Sequence, residues 1–202
     1  MRVLAILLVS VYLFSSEVES SGGKVHVKVF YESQCPFCQH FFKKYLTPIT
    51  EQLGDYMETY LNSYGNSLIS DGKLECQHGP RECEYDLIQA CAVDRMKGKS
   101  STDRVMMASC FMKGAFKPTQ TTGPLCSKQF GLDWDDVLKC SEGPEGMKLM
   151  KKNKEEMPHP FHGTPTVFVE GKNTNPWLLK NAVCTTLAED NIKPAACKSV
   201  LV

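Results

Sequence analysis

The feature that most constrains this chain is a pair of cysteines placed where a predicted β-strand meets a predicted α-helix. Residues 24–33 read KVHVKVFYES, with valines at alternate positions, which is typical of a strand. CPFCQHFFKKYLTPITEQL follows at once, and its aromatic residues and leucine recur at helical spacing. Cys35 therefore falls at the predicted N-terminus of a helix, with Cys38 on the same face three residues later. Pro36 suits the first turn, where its missing N–H costs nothing.

This position favours redox chemistry for the pair. The partial positive charge at a helix N-terminus stabilises a thiolate, and a Cys-X-X-Cys motif lowers the pKa of its first cysteine from about 8.5 to as low as about 3.5. Cys38 can then act as the resolving thiol in disulfide exchange. A zinc clamp and a structural staple are the alternatives. Zinc needs a second ligand pair with suitable spacing, which the candidate histidines do not form; they are His40, His78, His159 and His162. We expect no metal site.

The N-terminus predicts passage through the secretory pathway. Residues 1–20 have the order of a signal peptide, with an apolar run over 3–14 and cleavage expected between 16 and 21. Twelve apolar residues are too few to span a bilayer, so we expect no membrane anchor. The chain has ten cysteines, all after this leader, which in a secretory protein predicts disulfides. Lys plus Arg and Asp plus Glu both number 23, so the chain has no excess of positive charge that would attract nucleic acid.

The order of predicted elements indicates an α/β fold. A second strand is expected within 56–65, and Pro48 should kink or break the helix before it. We expect one domain over 24–197, with a helical insertion over roughly 76–155 between the two halves of a sheet. Its predicted helices cover 82–96, 102–116, 134–140 and 146–154, followed by a strand at 164–172 and a last helix at 177–190. In the 102–116 helix, the side chains predicted to face inward or nearly so are Val105, Met106, Ser109, Cys110 and Met112.

A proline before the last predicted strand is a second sign of redox chemistry. Thr164 and Pro165 open the segment TPTVFV. Thioredoxin-like folds place a cis proline in front of the strand beside the Cys-X-X-Cys motif, where its backbone holds the substrate. An ordinary strand start is the alternative.

Residues 76–91, CQHGPRECEYDLIQAC, closely resemble the signature of the gamma-interferon-inducible lysosomal thiol reductase family, C-Q-H-G-x2-E-C-x2-N-x4-C. Asp86 stands where that pattern has Asn, an exchange that removes a hydrogen-bond donor. SYGN at 63–66 and GMKLM at 146–150 also resemble the family. The matching signature positions are Cys76, Gln77, His78, Gly79, Glu82, Cys83 and Cys91.

The resemblance implies a thioredoxin-like fold with a disulfide-braced helical insertion. It also implies reduction of protein disulfides at acidic pH in endosomes and lysosomes, and in vertebrates a part in antigen presentation. Carried over by position, Cys35 is the nucleophile and Cys38 the resolving residue. The implied partners are disulfide-containing proteins, and an external small thiol serves as reductant with no bound cofactor. His162, if protonated and close, would help to stabilise the thiolate; a solvated loop histidine is the alternative.

Some expectations remain open at this point. The signature cysteines are expected to form structural disulfides. Cys184 and Cys197 are thirteen residues apart, which suggests a disulfide between the last helix and the C-terminal tail. No N-x-[ST] sequon occurs, so the sequence offers no asparagine for an N-glycan that could direct the protein to the lysosome. Secretion or another sorting route is therefore the alternative to the lysosomal location that the resemblance implies. A secreted binding or immune-modulating protein with little reductase activity is the alternative function.

Overall fold

The computed structural model describes residues 23–114 and 119–200, so the predicted leader lies outside the described part. Within these ranges, six strands form two sheets. The central sheet has the order β2–β1–β5–β6, in which β1 and β2 are parallel and the other neighbours antiparallel, while β3 and β4 form a separate hairpin. The strands are β1 Val25–Phe30, β2 Met57–Asn62, β3 Leu68–Ser70, β4 Lys73–Glu75, β5 Thr166–Val169 and β6 Lys172–Thr174.

In the described part of the chain, eight α-helices pack around and beside this sheet. The first two lie between β1 and β2, five lie between β4 and β5, and the last follows β6. They are α1 Pro36–Phe41, α2 Thr47–Leu53, α3 Pro80–Arg95, α4 Ser101–Gly114, α5 Thr119–Phe130, α6 Trp134–Glu142, α7 Pro144–Glu155 and α8 Leu179–Glu189. The sheet valines, the α1–α2 region, α4 and α8 share one apolar core. In the described part of the chain, none of the helices has both the length and the apolar character needed to cross a membrane.

The helix after β1 continues past Pro48. A π-helical turn over Phe42–Leu46 joins α1 to α2, and the N–H of Thr47 donates to the carbonyl of Phe42. Pro48 then lies at the start of α2, where a missing N–H is tolerated. The sequence predicts a kink or a break at Pro48; the break is wrong, because the helical path runs on to Leu53 through the π-helical turn.

The five helices of the insertion build a second core. Ile88, Met107 and Val137 meet there on α3, α4 and α6. Of the side chains predicted to lie inward or nearly so on α4, Val105, Ser109 and Met112 are buried and Met106 and Cys110 are half-buried. Met107, which was not predicted, is fully buried. Helix α5 was not expected, since Gly and Pro at positions 123 and 124 are poor helix formers.

Four disulfides tie these elements together. Cys110–Cys126 joins α4 to α5, Cys91–Cys140 joins α3 to α6, and Cys76–Cys83 joins the end of the β3–β4 hairpin to α3. The fourth pairs Cys184 of α8 with Cys197, the pair suggested from sequence spacing. Cys35 and Cys38 are free.

Candidate active site

Cys35 caps the N-terminus of α1, just beyond the end of β1. Its backbone is extended, and its Sγ accepts a hydrogen bond from the backbone N–H of Cys38 at 3.4 Å. Cys38 is wholly buried on the first turn of the helix, whereas Phe37 between them is 66% exposed. One thiol thus lies at the helix terminus and the other behind it, which is the placement that the sequence predicts.

The two thiols have opposite acidities. The hydrogen bond from the Cys38 thiol is the largest influence on Cys35. Together with the contact to Thr164 and the backbone N–H groups of residues 37 and 38, it lowers the pKa of Cys35 to about 6 against the opposing effect of burial. Burial raises the pKa of Cys38 well above its ordinary value, and the interaction with Cys35 raises it further. The pair therefore holds one thiolate and one protonated thiol over a wide pH range.

The proline loop lies beside this pair. Thr164 and Pro165 are joined by a cis peptide bond. The carbonyl oxygen of Thr164 lies 3.8 Å from the Sγ of Cys35, as an acceptor for the thiol. The structure thus brings Thr164 to the redox pair across 129 positions of sequence. His162 is exposed, and it is not among the groups that set the acidity of Cys35.

Three buried carboxyl groups lie behind the loop that leads into Cys35. Glu32, Glu82 and Asp86 are each 0% exposed. Glu82 accepts the N–H of Gln34 at 3.3 Å, and Asp86 accepts the N–H of Ser33 at 2.8 Å. A matching residue of the family signature, Glu82, and the departing residue Asp86 therefore hold the backbone of the loop in front of the redox pair.

Glu32 is the functional candidate that the sequence analysis missed. Its Oε2 accepts a hydrogen bond from the hydroxyl of Thr164 at 3.1 Å, and its Oε1 accepts one from the backbone N–H of Asn66. From the sequence alone, an acidic residue that follows a strand is interpreted as a solvated loop residue, so Glu32 was not singled out. The available signal was its position directly after the apolar run VFY, three residues before Cys35.

The remaining signature residues surround the same carboxyl groups. His78 Nδ1 lies 2.7 Å from Glu82 Oε1 and 3.9 Å from Glu32 Oε2, and its backbone N–H donates to Glu82 Oε2 at 2.8 Å. Gln77 accepts a hydrogen bond from the side chain of Asn66 at 2.7 Å. Gly79 precedes α3 with a φ of +92°, a conformation that favours glycine.

Glu32, His78 and Glu82 are the one group among the described residues whose potential metal ligands all lie within 4.8 Å of one another. All four of their carboxylate oxygens already accept hydrogen bonds from N–H or O–H donors, or lie against the imidazole. A cation would have to replace these donors. We therefore describe the group as a hydrogen-bonded network, not as a metal site.

Comparison with known proteins identifies the family of the chain. The family model described as "Gamma interferon inducible lysosomal thiol reductase (GILT)" matches residues 26–130. The chain belongs to this family. A protein of that name from Carassius auratus is 32% identical over 193 residues, covering 88% of this chain and 73% of the relative. The family protein of Mus musculus is 27% identical over 186 residues, covering 87% of this chain and 73% of the relative.

Solved structures show the same fold at low sequence identity. DsbA from Xylella fastidiosa aligns with a TM-score of 0.53 and 16% identity, covering 84% of this chain and 88% of that one. BdbD from Bacillus subtilis aligns with a TM-score of 0.56 and 13% identity, covering 84% and 89%. The fold is therefore thioredoxin-like, as predicted. The fold and the family together identify the chain as a thiol–disulfide oxidoreductase.

Proposed function

We propose that this protein reduces disulfide bonds of protein substrates, with Cys35 as the attacking thiolate and Cys38 as the resolving thiol. The observation that carries this proposal is the opposite acidity of the two thiols. Cys35 has its pKa lowered to about 6, while burial keeps Cys38 protonated. The more acidic thiol is at the helix terminus beside the proline loop and is 5% exposed, whereas Cys38 behind it is wholly buried.

The reaction proceeds in two exchange steps. The Cys35 thiolate attacks one sulfur of a substrate disulfide; a Cys35–substrate disulfide forms, the substrate S–S bond breaks, and the other substrate sulfur leaves as a thiolate that takes up a proton. Cys38 then loses its proton and attacks the Sγ of Cys35. The Cys35–Cys38 disulfide forms and the second substrate thiolate is released. The substrate gains two electrons and the protein loses two.

Recycling needs an external reductant. Two molecules of a small thiol reduce the Cys35–Cys38 disulfide by the same exchange, and are themselves joined in a disulfide. We propose a small thiol for this step, and no bound cofactor, because thiol exchange requires only sulfur nucleophiles.

The acidity of Cys35 supports operation in an acidic compartment. With a pKa of about 6, about one molecule in ten carries the thiolate at pH 5, against roughly one in 3,000 for an ordinary thiol. The relatives' names include "lysosomal", and the four disulfides suit a compartment that oxidises thiols. We therefore propose delivery through the secretory pathway, to endosomes and lysosomes or to the exterior.

Insulin reduction at about pH 5 and about pH 7, with a small thiol as reductant, tests the proposal. We expect activity at both values in the wild type and none in Cys35→Ser. Cys38→Ser is the matched control: in its reduced form and without the small thiol, it should open one substrate disulfide per molecule and remain linked to the substrate through Cys35, since the nucleophile remains but the resolving thiol is absent. Full activity in Cys35→Ser would contradict the assignment. Failure of the wild type at both pH values would overturn the enzymatic proposal and leave the binding-protein alternative.

A further inference from the structure

Glu32 is a buried junction between three loops around the redox pair. Its two oxygens accept hydrogen bonds from Thr164 in the proline loop and from Asn66 in the SYGN turn, and its Oε2 lies 3.9 Å from the His78 imidazole in the signature. These partners lie up to 132 positions away in sequence. A side chain that only filled space would not need two directed acceptors.

The SYGN turn is shaped around this side chain. Gly65 has a φ of +54°, and a Cβ at this position would collide with Cγ of Glu32. Asn66 donates its backbone N–H to Glu32 and its side-chain amide to Gln77. The turn therefore closes over Glu32 and connects it to the signature segment.

A short path leads from Glu32 to the sulfur of Cys35. The Thr164 hydroxyl donates to the carboxyl group at 3.1 Å, and the Thr164 carbonyl lies 3.8 Å from the Cys35 Sγ. One residue thus contacts both groups. A negative charge on Glu32 and a thiolate on Cys35 lie on either side of Thr164 and repel each other. This repulsion is strong because the buried site weakens screening by water.

We propose that Glu32 is a positioning residue for the redox pair: it fixes the proline loop against Cys35, and the loss of its proton reduces the fraction of Cys35 present as thiolate. This inference rests on the proposed role of Cys35 as the nucleophile. It gives the SYGN turn and the signature segment a shared purpose, which is to hold this carboxyl group in place.

The acidity of Glu32 agrees with the geometry. Burial raises the pKa of Glu32 and the charges of Glu82 and Cys35 raise it further, against the hydrogen bonds from Asn66 and Thr164. The titratable groups that face it are Glu82, Asp86, His78, Cys35 and Cys38. As the pH falls, Glu32 takes up a proton and ceases to oppose the thiolate, so the nucleophile persists to lower pH.

Alkylation of reduced protein by iodoacetamide as a function of pH tests this coupling. Glu32→Gln imitates the protonated carboxyl group, so we expect the midpoint for Cys35 to move down by about one pH unit, a roughly tenfold gain in thiolate below the midpoint. Glu32→Asp keeps the charge and should not produce this downward shift. Glu51→Gln, at an exposed position of α2, is the control and should match the wild type. An unchanged or raised midpoint in Glu32→Gln would overturn the proposal.

A second measurement needs no variant and so does not depend on whether Glu32→Gln folds. Coupling is reciprocal, so removing the Cys35 thiolate by oxidation must make Glu32 more acidic. We expect the carboxyl carbon of Glu32, followed by NMR, to titrate at lower pH in the oxidised protein than in the reduced one. Identical titrations in the two forms would overturn the coupling. Neither experiment involves substrate turnover, so a failed insulin assay would count against the proposed function alone.

Discussion

The backbone N–H of Ser33 donates a hydrogen bond to Oδ1 of Asp86 at 2.8 Å, joining the loop before the redox pair to helix α3. Asp86 is fully buried, its Oδ2 has no hydrogen-bond partner, and it occupies the position where the family pattern has Asn. Burial raises the pKa of Asp86 well above its ordinary value, and the nearby charges of Glu82 and Glu32 raise it further. The substituted acid thus behaves as a neutral side chain under acidic conditions.

Replacing Asp86 with Asn should therefore stabilise the protein more at neutral pH than at acidic pH. Because the pKa is raised in the folded state, the contribution of Asp86 to stability is intact below its unfolded value of about 3.9 and is lost as the pH rises toward the folded pKa. We expect Asp86→Asn to raise the free energy of unfolding at pH 7 by about 1–3 kcal/mol, and by less near about pH 4.

Urea denaturation at the two pH values measures this difference. Asp55→Asn, at an exposed position, is the control and should change the free energy of unfolding by less than about 0.5 kcal/mol at either pH. A gain from Asp86→Asn that is equal at both pH values would contradict the role of ionisation.

Gly65→Ala should cost more stability than Gly72→Ala. Both glycines have positive φ, +54° and +74°, so both substitutions carry backbone strain of about 1–2 kcal/mol. Only at Gly65 would the new methyl group meet another side chain, Cγ of Glu32, since nothing lies within 4 Å at Gly72. We expect an additional loss of about 1–3 kcal/mol at Gly65 in urea denaturation. Equal losses for the two variants would show that the turn does not close tightly over Glu32.

Removing the Cys91–Cys140 disulfide should destabilise the protein more than removing Cys76–Cys83. The first closes a span of 49 residues and the second a span of 7. The loop-entropy relation gives about 4 kcal/mol for the longer loop and about 2.5 kcal/mol for the shorter one. Thermal denaturation of the two double-serine variants compares them, and the reverse order of melting temperatures would contradict a bracing role for Cys91–Cys140.

The thiol of Cys38 should control the acidity of Cys35. Since the hydrogen bond from Cys38 is the largest influence that lowers the pKa of Cys35 to about 6, Cys38→Ala should raise the midpoint of Cys35 alkylation by about one pH unit or more. Cys38→Ser retains a hydroxyl donor and is the matched comparison, with a smaller rise. Equal midpoints in the wild type and Cys38→Ala would show that the helix terminus alone sets this acidity.

The sequence predicted the elements whose periodicity is strong. The alternating valines before Cys35 marked β1, and the apolar spacing after Cys38 marked the helix. Helix α5 was missed because it contains Gly123 and Pro124, and it is held to its neighbour by the Cys110–Cys126 disulfide, which no local pattern reveals. Similarly, β6 is only three residues long and is defined by its pairing with β5.

The candidate site was predictable where one short motif carries it and not where distant residues meet. Cys35 and Cys38 belong to a single turn, so their spacing was sufficient. The role of Glu32 depends on its hydrogen bonds with Thr164 and Asn66, which are distant in sequence. Because glutamate is rarely buried, the sequence gives no reason to expect Glu32 in the interior. Only the folded chain brings these partners together.

Trapping a mixed disulfide between this protein and a substrate identifies the cysteine that attacks. Reduced Cys38→Ser protein is mixed with a substrate of known disulfide content, quenched with acid, and digested without reduction for peptide mapping by mass spectrometry. The account predicts that the substrate cysteine is linked to Cys35, and that Cys35→Ser forms no such adduct. Adducts at any other cysteine of the described chain, or an adduct that persists in Cys35→Ser, would contradict it.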